Sequence, residues 1–424
     1  MRRFISSITV AAAVLLTVLG LLGASPTFAQ GDALPKDVNP SSRNRLPLLS
    51  PEDAGARAKQ IYDRGMASFA GVAPKGPSMR LHGTPESALD LQMLSALGLA
   101  VLQIPVLVTG RELDQPYEWS LHEMQALAVS LDPAVINVIR HNLPLNSLPP
   151  GKLPANQAII IQLGREIYRT HRLGSATYAR ALRVLGEKNL VDIVAEMADY
   201  ARVSASLSAF NQQMPPGFKQ FLPLPFTPPD DIHADSRNRL PLLPPLTIRP
   251  GVIYSRPLGG SPQGTGPLQI GRHGGGLKSL EASDLRPQID VAILVTAREH
   301  DSPYDWTVNE LAARKDGLDP RVIDVIRTRQ PATGLSDKDA SLIELGRELF
   351  DKHYVSAATY ARAVKIFGER NLVDLVSVMG EHAGEEILLA AFDQQLPAGQ
   401  AALCCVSRGN AARTTSTPSS RSRT

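Results

Sequence analysis

Cysteine is scarce in this sequence. Only two occur in 424 residues, Cys404 and Cys405, and they are adjacent near the carboxyl end. They cannot form a disulfide framework, so an exported chain of this composition must depend on its hydrophobic core. Aromatic residues make up 5% of the chain, and no segment alternates convincingly between apolar and polar residues, which argues against a β fold. A His-Glu-x-x-His pattern is also missing, so we predict no metal site and no cofactor.

An excess of charge of one sign is missing from the body of the chain as well. Lys and Arg total 44 against 41 Asp and Glu. The basic surplus lies at the two ends, in Arg2, Arg3 and four arginines after Cys405. The region between is slightly acidic, so we expect no nucleic-acid partner.

The segment 1–29 resembles a secretory signal. Arg2-Arg3 precede an apolar run from Ile8 to Leu22, and Thr27-Phe28-Ala29 provides a small-residue exit. We predict a signal peptide over 1–29, cleavage after Ala29 and a periplasmic or secreted protein. An uncleaved N-terminal anchor is the alternative. No other segment is apolar enough to span a bilayer, so we expect no membrane partner after cleavage.

A duplication organises the rest of the chain. Gly110 to Glu123 recurs as Ala297 to Glu310 at an offset of 187, and more than half of the positions from Leu163 to Asp192 recur at an offset of 182. An Arg-Asn-Arg-Leu-Pro-Leu-Leu motif occurs at 43–49 and at 237–243. We predict a first domain over 40–214 and a second over 237–397. A Pro/Gly-rich linker over 215–278 overlaps the start of the second domain, and a disordered tail covers 398–424.

Each copy has the sequence signals of helices. Asp114 or Gln115 is placed to cap a helix that has Pro116 in its first turn, and Ser302-Pro303 repeats the pattern. Further helices start at Asp132-Pro133 and Asp319-Pro320, and a short helix ends at Gly186 before a long apolar one. The predicted fold class is all-α, two copies of a helical bundle.

Glu118 and His122 are the candidate catalytic pair. They are four residues apart on a predicted helix, so their side chains lie on one face, where a carboxylate can orient an imidazole for proton transfer. Glu112 could relay protons and Arg111 could bind an anionic substrate. The competing interpretation is structural, because an acid is favoured in the first turn of any helix and a lone helical histidine is often a packed residue.

The second copy keeps the acid but loses the histidine. Glu118 corresponds to Asp305, whereas His122 corresponds to Asn309. An amide cannot exchange protons near neutral pH, so we predict one working site and one degenerate partner. His300, or His382 at the position equivalent to Tyr200, could instead supply an imidazole to the second copy.

These residues resemble the carboxymuconolactone decarboxylase family, within the alkyl hydroperoxidase D-like superfamily. The resemblance rests on Tyr117-Glu118-Trp119-x-x-His122, Leu131-Asp132-Pro133, Glu166-x4-His171, Ala176-Thr177-Tyr178 and Leu190-Val191-Asp192. It implies two tandem helical-bundle repeats packed as a pseudo-dimer, and a homo-oligomer of such chains. The peroxidase branch has Cys-x-x-Cys where this chain has Gln115 and Glu118, which argues against thiol peroxidase chemistry.

The resemblance favours acid/base chemistry of the lyase or decarboxylase type on a small carboxylate or lactone. The expected catalytic residues are His122, Glu118 and Glu112, and the expected substrate-binding residues are Arg111, Tyr117 and Trp119. Their second-repeat equivalents are Arg298, Glu299, Tyr304, Asp305, Trp306 and Asn309. Peroxidase activity and a non-catalytic binding or scaffold protein are the alternatives.

Overall fold

A computed structural model describes residues 34–47, 97–219, 221–222, 230–244 and 266–405. Within those ranges the chain forms helices and no strand, with one antiparallel bridge between Asn39 and Asn44. The all-α prediction is confirmed at this level. The predicted signal peptide and the end of the predicted tail lie outside the described residues. In the described part of the chain, no helix is both long and apolar enough to cross a membrane.

Two series of helices follow one another. The first comprises α1 (Leu99–Glu112), α2 (Pro116–Ala128), α3 (Pro133–Arg140), α4 (Ala155–Thr170), α5 (Ser175–Leu185) and α6 (Glu187–Ala209). The second comprises the short α7 (Pro267–Gly271) and α8 (Leu277–Glu281), then α9 (Arg286–Glu299), α10 (Pro303–Lys315), α11 (Pro320–Arg327), α12 (Asp337–Asp351) and α13 (Ala357–Phe392). The first residues of α9 to α11 follow those of α1 to α3 at the offset of 187, and the first residue of α12 follows that of α4 at the offset of 182.

Local signals explain these boundaries. The Gln115 side chain accepts a hydrogen bond from the Tyr117 N–H at 2.7 Å, and the Ser302 hydroxyl accepts one from Asp305 at 3.3 Å. Each satisfies an otherwise unpaired N–H group of a first turn. Gly186, with a φ of 76°, separates α5 from α6, and Gly368, with a φ of 73°, makes the equivalent break inside α13. A residue with a Cβ atom would be strained at either break.

The long helices α6 and α13 pack against each other and join the two halves. A Cβ atom on Gly380 would lie 2.8 Å from the Arg202 carbonyl oxygen, and one on Gly384 would lie 2.7 Å from that of Ala198. Only glycine permits this approach. Each half also enters the other's core: Phe392 of α13 packs in the core of the first series, and Phe210, after α6, packs in that of the second.

Two arginines of the repeated Arg-Asn-Arg-Leu-Pro motif also tie the halves together. Arg45 donates to the carbonyl oxygens of Leu173 (2.8 Å) and Ala391 (3.0 Å). Arg239 donates to those of Ala209 (3.0 Å) and Val355 (2.8 Å). Both guanidinium groups are buried and paired with an aspartate. Each therefore links one residue from each half.

Two segments near predicted boundaries are partly described. Within the predicted tail over 398–424, the Leu403 N–H donates to the Thr307 hydroxyl at 3.0 Å and Cys404 is buried. This contact parallels the one that the Phe221 N–H makes to the Ser120 hydroxyl at 3.0 Å in the first half. In the described part of the predicted linker over 215–278, Pro267–Gly271 forms α7, and Gly274 to Gly276 precede the start of α8 at Leu277.

Candidate functional site

Glu118 and His122 are brought together, as the helical spacing predicts. The His122 Nε2 lies 3.4 Å from a Glu118 carboxylate oxygen, and both side chains are buried. The His122 Nδ1 lies 3.0 Å from the amide oxygen of Gln103 on α1, and the Tyr200 ring on α6 meets the imidazole edge-on at 4.9 Å. With the Gln103 oxygen facing Nδ1, that nitrogen donates, which leaves Nε2 to exchange a proton beside Glu118.

A third ionisable group belongs to this cluster. Glu196 lies on α6, four residues before Tyr200. Burial raises its pKa to about 8, and the nearby charges of Asp199 and Glu118 add to the rise. Neither Glu196 nor Gln103 was predicted as a site residue. The sequence does show that these positions differ between the two halves, because Glu196 corresponds to Val378 and Gln103 corresponds to Asp290.

Arg111 and Glu112 serve the packing of α1 instead of joining His122. Arg111 donates to the Arg140 carbonyl oxygen at 2.7 Å and to Asp114 at 2.5 Å. Glu112 accepts two hydrogen bonds from Arg169, at 2.6 and 2.7 Å. These contacts connect α1 to α3 and α4. The structure therefore gives the expected anion-binding and proton-relay roles no geometric support.

The second-half equivalents of these two residues also make polar contacts, although Arg169, the partner of Glu112, corresponds to Asp351. Arg298 donates to the Arg327 carbonyl oxygen at 2.8 Å and pairs with Asp301. Glu299 lies 3.3 Å from a guanidinium nitrogen of Arg329.

The two tryptophans are core residues. Trp119 and Trp306 are fully buried, and their indole N–H groups donate to Glu123 (2.7 Å) and Glu310 (2.5 Å) four residues later. Each acceptor glutamate also pairs with the arginine that ends the next helix, Arg140 or Arg327.

The tyrosines at 117 and 304 differ between the two halves. Tyr117 is fully buried and packs with the core of the second series. Tyr304 lines a cavity between the halves, and burial raises its pKa to about 12.

The second half has its own acid–histidine contact. The Nδ1 of His382, on α13, lies 2.9 Å from a carboxylate oxygen of Asp305, and the Asn309 amide donates to Asp305 at 2.6 Å. The imidazole therefore comes from the position equivalent to Tyr200, which was one of the two alternatives. In the first half the histidine is on α2, and in the second half it is on the long helix.

The charges of this second cluster are well defined. Burial alone would lower the pKa of His382, but the Asp305 carboxylate outweighs it and raises that pKa to about 9. Burial alone would raise the pKa of Asp305, but the contact with His382 outweighs burial, so the pKa of Asp305 is lowered. Glu386, one turn after His382, has its pKa raised by burial and by the Asp305 charge. The cluster is thus an ion pair of His382 and Asp305 beside a carboxyl group whose pKa is raised.

His300, the other alternative, does not fill this role. Its Nδ1 lies 2.8 Å from the Thr296 carbonyl oxygen, and burial together with His171 lowers its pKa to about 3. The ring is neutral at physiological pH and contacts Phe350 at 4.9 Å.

Among the described residues, no group of three or more His, Cys, Asp or Glu side chains is arranged to hold a metal ion. Comparisons of the chain with protein-family models, with curated proteins and with solved structures found no match.

Proposed function

We propose that this chain is an acid/base enzyme that resembles carboxymuconolactone decarboxylases and acts on a small carboxylate or lactone. The observation that carries the proposal is the buried contact between Glu118 and His122. A Glu118 carboxylate oxygen lies 3.4 Å from the Nε2 of His122, and Gln103 faces Nδ1 and fixes the orientation of the ring. Glu196, whose pKa burial raises to about 8, adds a second group that can exchange a proton.

The reaction that suits these groups is loss of carbon dioxide with protonation of the remaining carbon. The bond from carbon to the carboxylate breaks, and its electron pair moves into the adjoining carbonyl system as an enolate. His122 then delivers the proton on Nε2 to that carbon, and a proton from water restores the imidazolium. Glu118 lies beside the ring nitrogen that transfers the proton. The reaction consumes one proton and releases one molecule of carbon dioxide.

The proposal includes the architecture that the resemblance implies, two alkyl hydroperoxidase D-like repeats packed as a pseudo-dimer. It is supported by helix starts that recur at offsets of 187 and 182, by repeated caps and by equivalent arginine contacts in both halves. Export, based on the segment 1–29, and assembly into a homo-oligomer are parts of the same proposal.

The test is turnover by a His122→Asn variant, which installs the residue type of Asn309. The substrate panel is carboxymuconolactone and simpler unsaturated lactone acids, followed by proton NMR. His141→Asn is the matched control, because His141 is exposed at the end of α3. We expect turnover to fall by about 10²- to 10⁴-fold in the first variant only, with the helical circular dichroism signal retained. Equal turnover by the two variants would remove the proposal.

A non-catalytic binding protein is a second candidate, and one observation favours it. Both ring nitrogens of His122 already face partners, and its side chain is only 8% exposed. A purely structural histidine has the same surroundings. On this alternative, His122→Asn lowers stability while the wild-type chain turns over none of the lactone acids.

A further inference from the structure

The only two cysteines of the chain, Cys404 and Cys405, lie against the second half of the molecule. The residue before them is tied to α10, because the Leu403 N–H donates to the Thr307 hydroxyl at 3.0 Å. Cys404 is buried in the core of the second series, and the half-buried Cys405 packs against that core. The cysteine pair therefore has a defined place in the fold.

The two thiol groups of the pair interact with each other. This contact is the largest cause that lowers the pKa of Cys404, and it is also the largest cause that raises the pKa of Cys405. Cys405 has a φ of 63°, in the left-handed region that residues with a Cβ atom seldom occupy and that the surrounding structure must hold. The two sulfur atoms therefore titrate as one unit, which gives up a first proton more readily than a second.

Positive charge lies close to the pair. Arg298, in the last turn of α9, acts on both thiol groups, and Arg327, at the end of α11, acts on Cys404. These charges favour a thiolate, whereas the Asp301 carboxylate opposes it. A thiolate in electropositive surroundings, with a second thiol beside it, is the arrangement found in reactive cysteines. A cysteine that only fills a core needs neither feature.

Cys405 lies in the wall of a cavity of about 870 Å³ between the two halves. The segment from Asp393 to Ala402, which leads from the end of α13 to the pair, also belongs to this wall. Apolar residues such as Phe350 and Ile387 line the same cavity. Its volume is within the range of sites for small organic molecules. A neutral organic molecule therefore has room beside Cys405.

A disulfide bond between neighbouring cysteines is easily reduced. Adjacent Cα atoms are at most about 3.8 Å apart, whereas disulfides usually join Cα atoms about 4.4–6.8 Å apart. The bond between neighbours is therefore strained, and strain makes a disulfide more reducible. Strained disulfides are the labile ones that serve catalysis or regulation, because a structural disulfide must resist reduction. The pair is thus suited to cycle between a dithiol and a disulfide.

We propose that Cys404 and Cys405 form a thiol–disulfide exchange site for small organic disulfides that enter the cavity between the halves. A thiolate of the pair attacks one sulfur of the small disulfide, which forms a mixed disulfide and releases the other half as a thiolate. The second thiol of the pair then attacks the protein sulfur of the mixed disulfide, and the remaining half leaves with the proton of that thiol. The small disulfide is reduced by two electrons, and the pair is oxidised by two. The site does not depend on the acid/base function proposed for His122.

The test uses 4,4′-dithiodipyridine, a neutral aromatic disulfide that releases the coloured product thiopyridone, on the full chain without denaturant. We expect two molecules of thiopyridone per chain, and mass spectrometry should show a chain that has lost two hydrogen atoms and carries no adduct. Cys404→Ser and Cys405→Ser are the matched variants. Each should release at most one molecule and keep the other half of the reagent as an adduct, because no second thiol can displace it. Roughly millimolar glutathione should return the oxidised wild type to the dithiol.

Three contrary results would overturn the proposal. Release of thiopyridone only after urea unfolds the chain would show that the two cysteines serve packing alone. A wild-type chain that keeps an adduct on each cysteine would show that the neighbouring thiols do not close a disulfide. A disulfide-linked dimer of chains as the product would show that each thiol reacts outside its own pair.

Discussion

The ion pair of His382 and Asp305 predicts that the protein loses stability as pH rises above neutrality. The folded state raises the pKa of His382 from 6.5 to about 9. The native state therefore holds a proton that the unfolded chain releases between these values. This contribution is fully present below pH 6.5 and is lost as pH rises through about 9. A difference of this size corresponds to roughly 3 kcal/mol in the free energy of unfolding.

The neighbouring acids affect this window in known directions. Glu386, whose pKa is raised, contributes stability that is fully present below pH 4.5 and is lost as pH rises. It therefore adds to the loss of stability with rising pH. Asp305, whose pKa is lowered, contributes stability above 3.8 that is lost only as pH falls, so it lies outside the window. Glu381 and Glu385 also face His382 and favour its charged form. Comparison of the wild type with His382→Asn therefore isolates the contribution of His382 to the free energy of unfolding.

The assay is urea unfolding followed by circular dichroism at about pH 6 and about pH 9.5. Wild type and His141→Asn should lose roughly 3 kcal/mol more over this range than His382→Asn. At the lower pH, His382→Asn should itself be less stable by roughly 3 kcal/mol, since it leaves the buried Asp305 carboxylate without its cation. The same pH dependence in His382→Asn and in the wild type would refute the reasoning.

Three further predictions concern other parts of the molecule. Gly380→Ala should lower the free energy of unfolding in urea by roughly 1–3 kcal/mol, because the added Cβ would lie 2.8 Å from the Arg202 carbonyl oxygen. A change within about 0.5 kcal/mol would mean that α6 and α13 do not pack this closely. Glu118→Gln should lower turnover of lactone acids by about tenfold or more with the fold retained, and wild-type turnover would show that the carboxylate charge is not used. A variant with serine at both Cys404 and Cys405 should keep its lactone turnover, and a loss of peroxide consumption in that variant would instead support the peroxidase alternative.

The helices were predictable from sequence because their signals are local. Pro116 and Pro303 stand in first turns after residues that cap them, and Gly186 ends α5, as the sequence indicates. Glu118 and His122 share a helix face for the same reason, since a spacing of four residues fixes their proximity once the helix is given. Nothing outside α2 is needed to place this pair.

Contacts between distant elements were not predictable in the same way. Arg111 was a reasonable anion-binding residue by type, but its partners are a carbonyl oxygen on α3 and Asp114, which depend on how α1 and α3 pack. His382 reaches Asp305 across 77 residues, and the sequence could offer this only as one of two alternatives. Glu196 is one of four acids on α6, with Glu187, Asp192 and Asp199, and nothing local in the sequence indicates which of them lies near Glu118.

The most direct test of acid/base catalysis at His122 is a transplant between the two halves. Deuterium incorporation into the decarboxylated product is measured in D₂O for wild type, for His122→Asn, and for His122→Asn combined with Tyr200→His. The double variant gives the first half the residue types found at Asn309 and His382, where the imidazole reaches the acid from the long helix. We predict that the single variant loses about 10²- to 10⁴-fold in rate and that the double variant recovers part of the loss. A single variant as fast as the wild type would contradict the account.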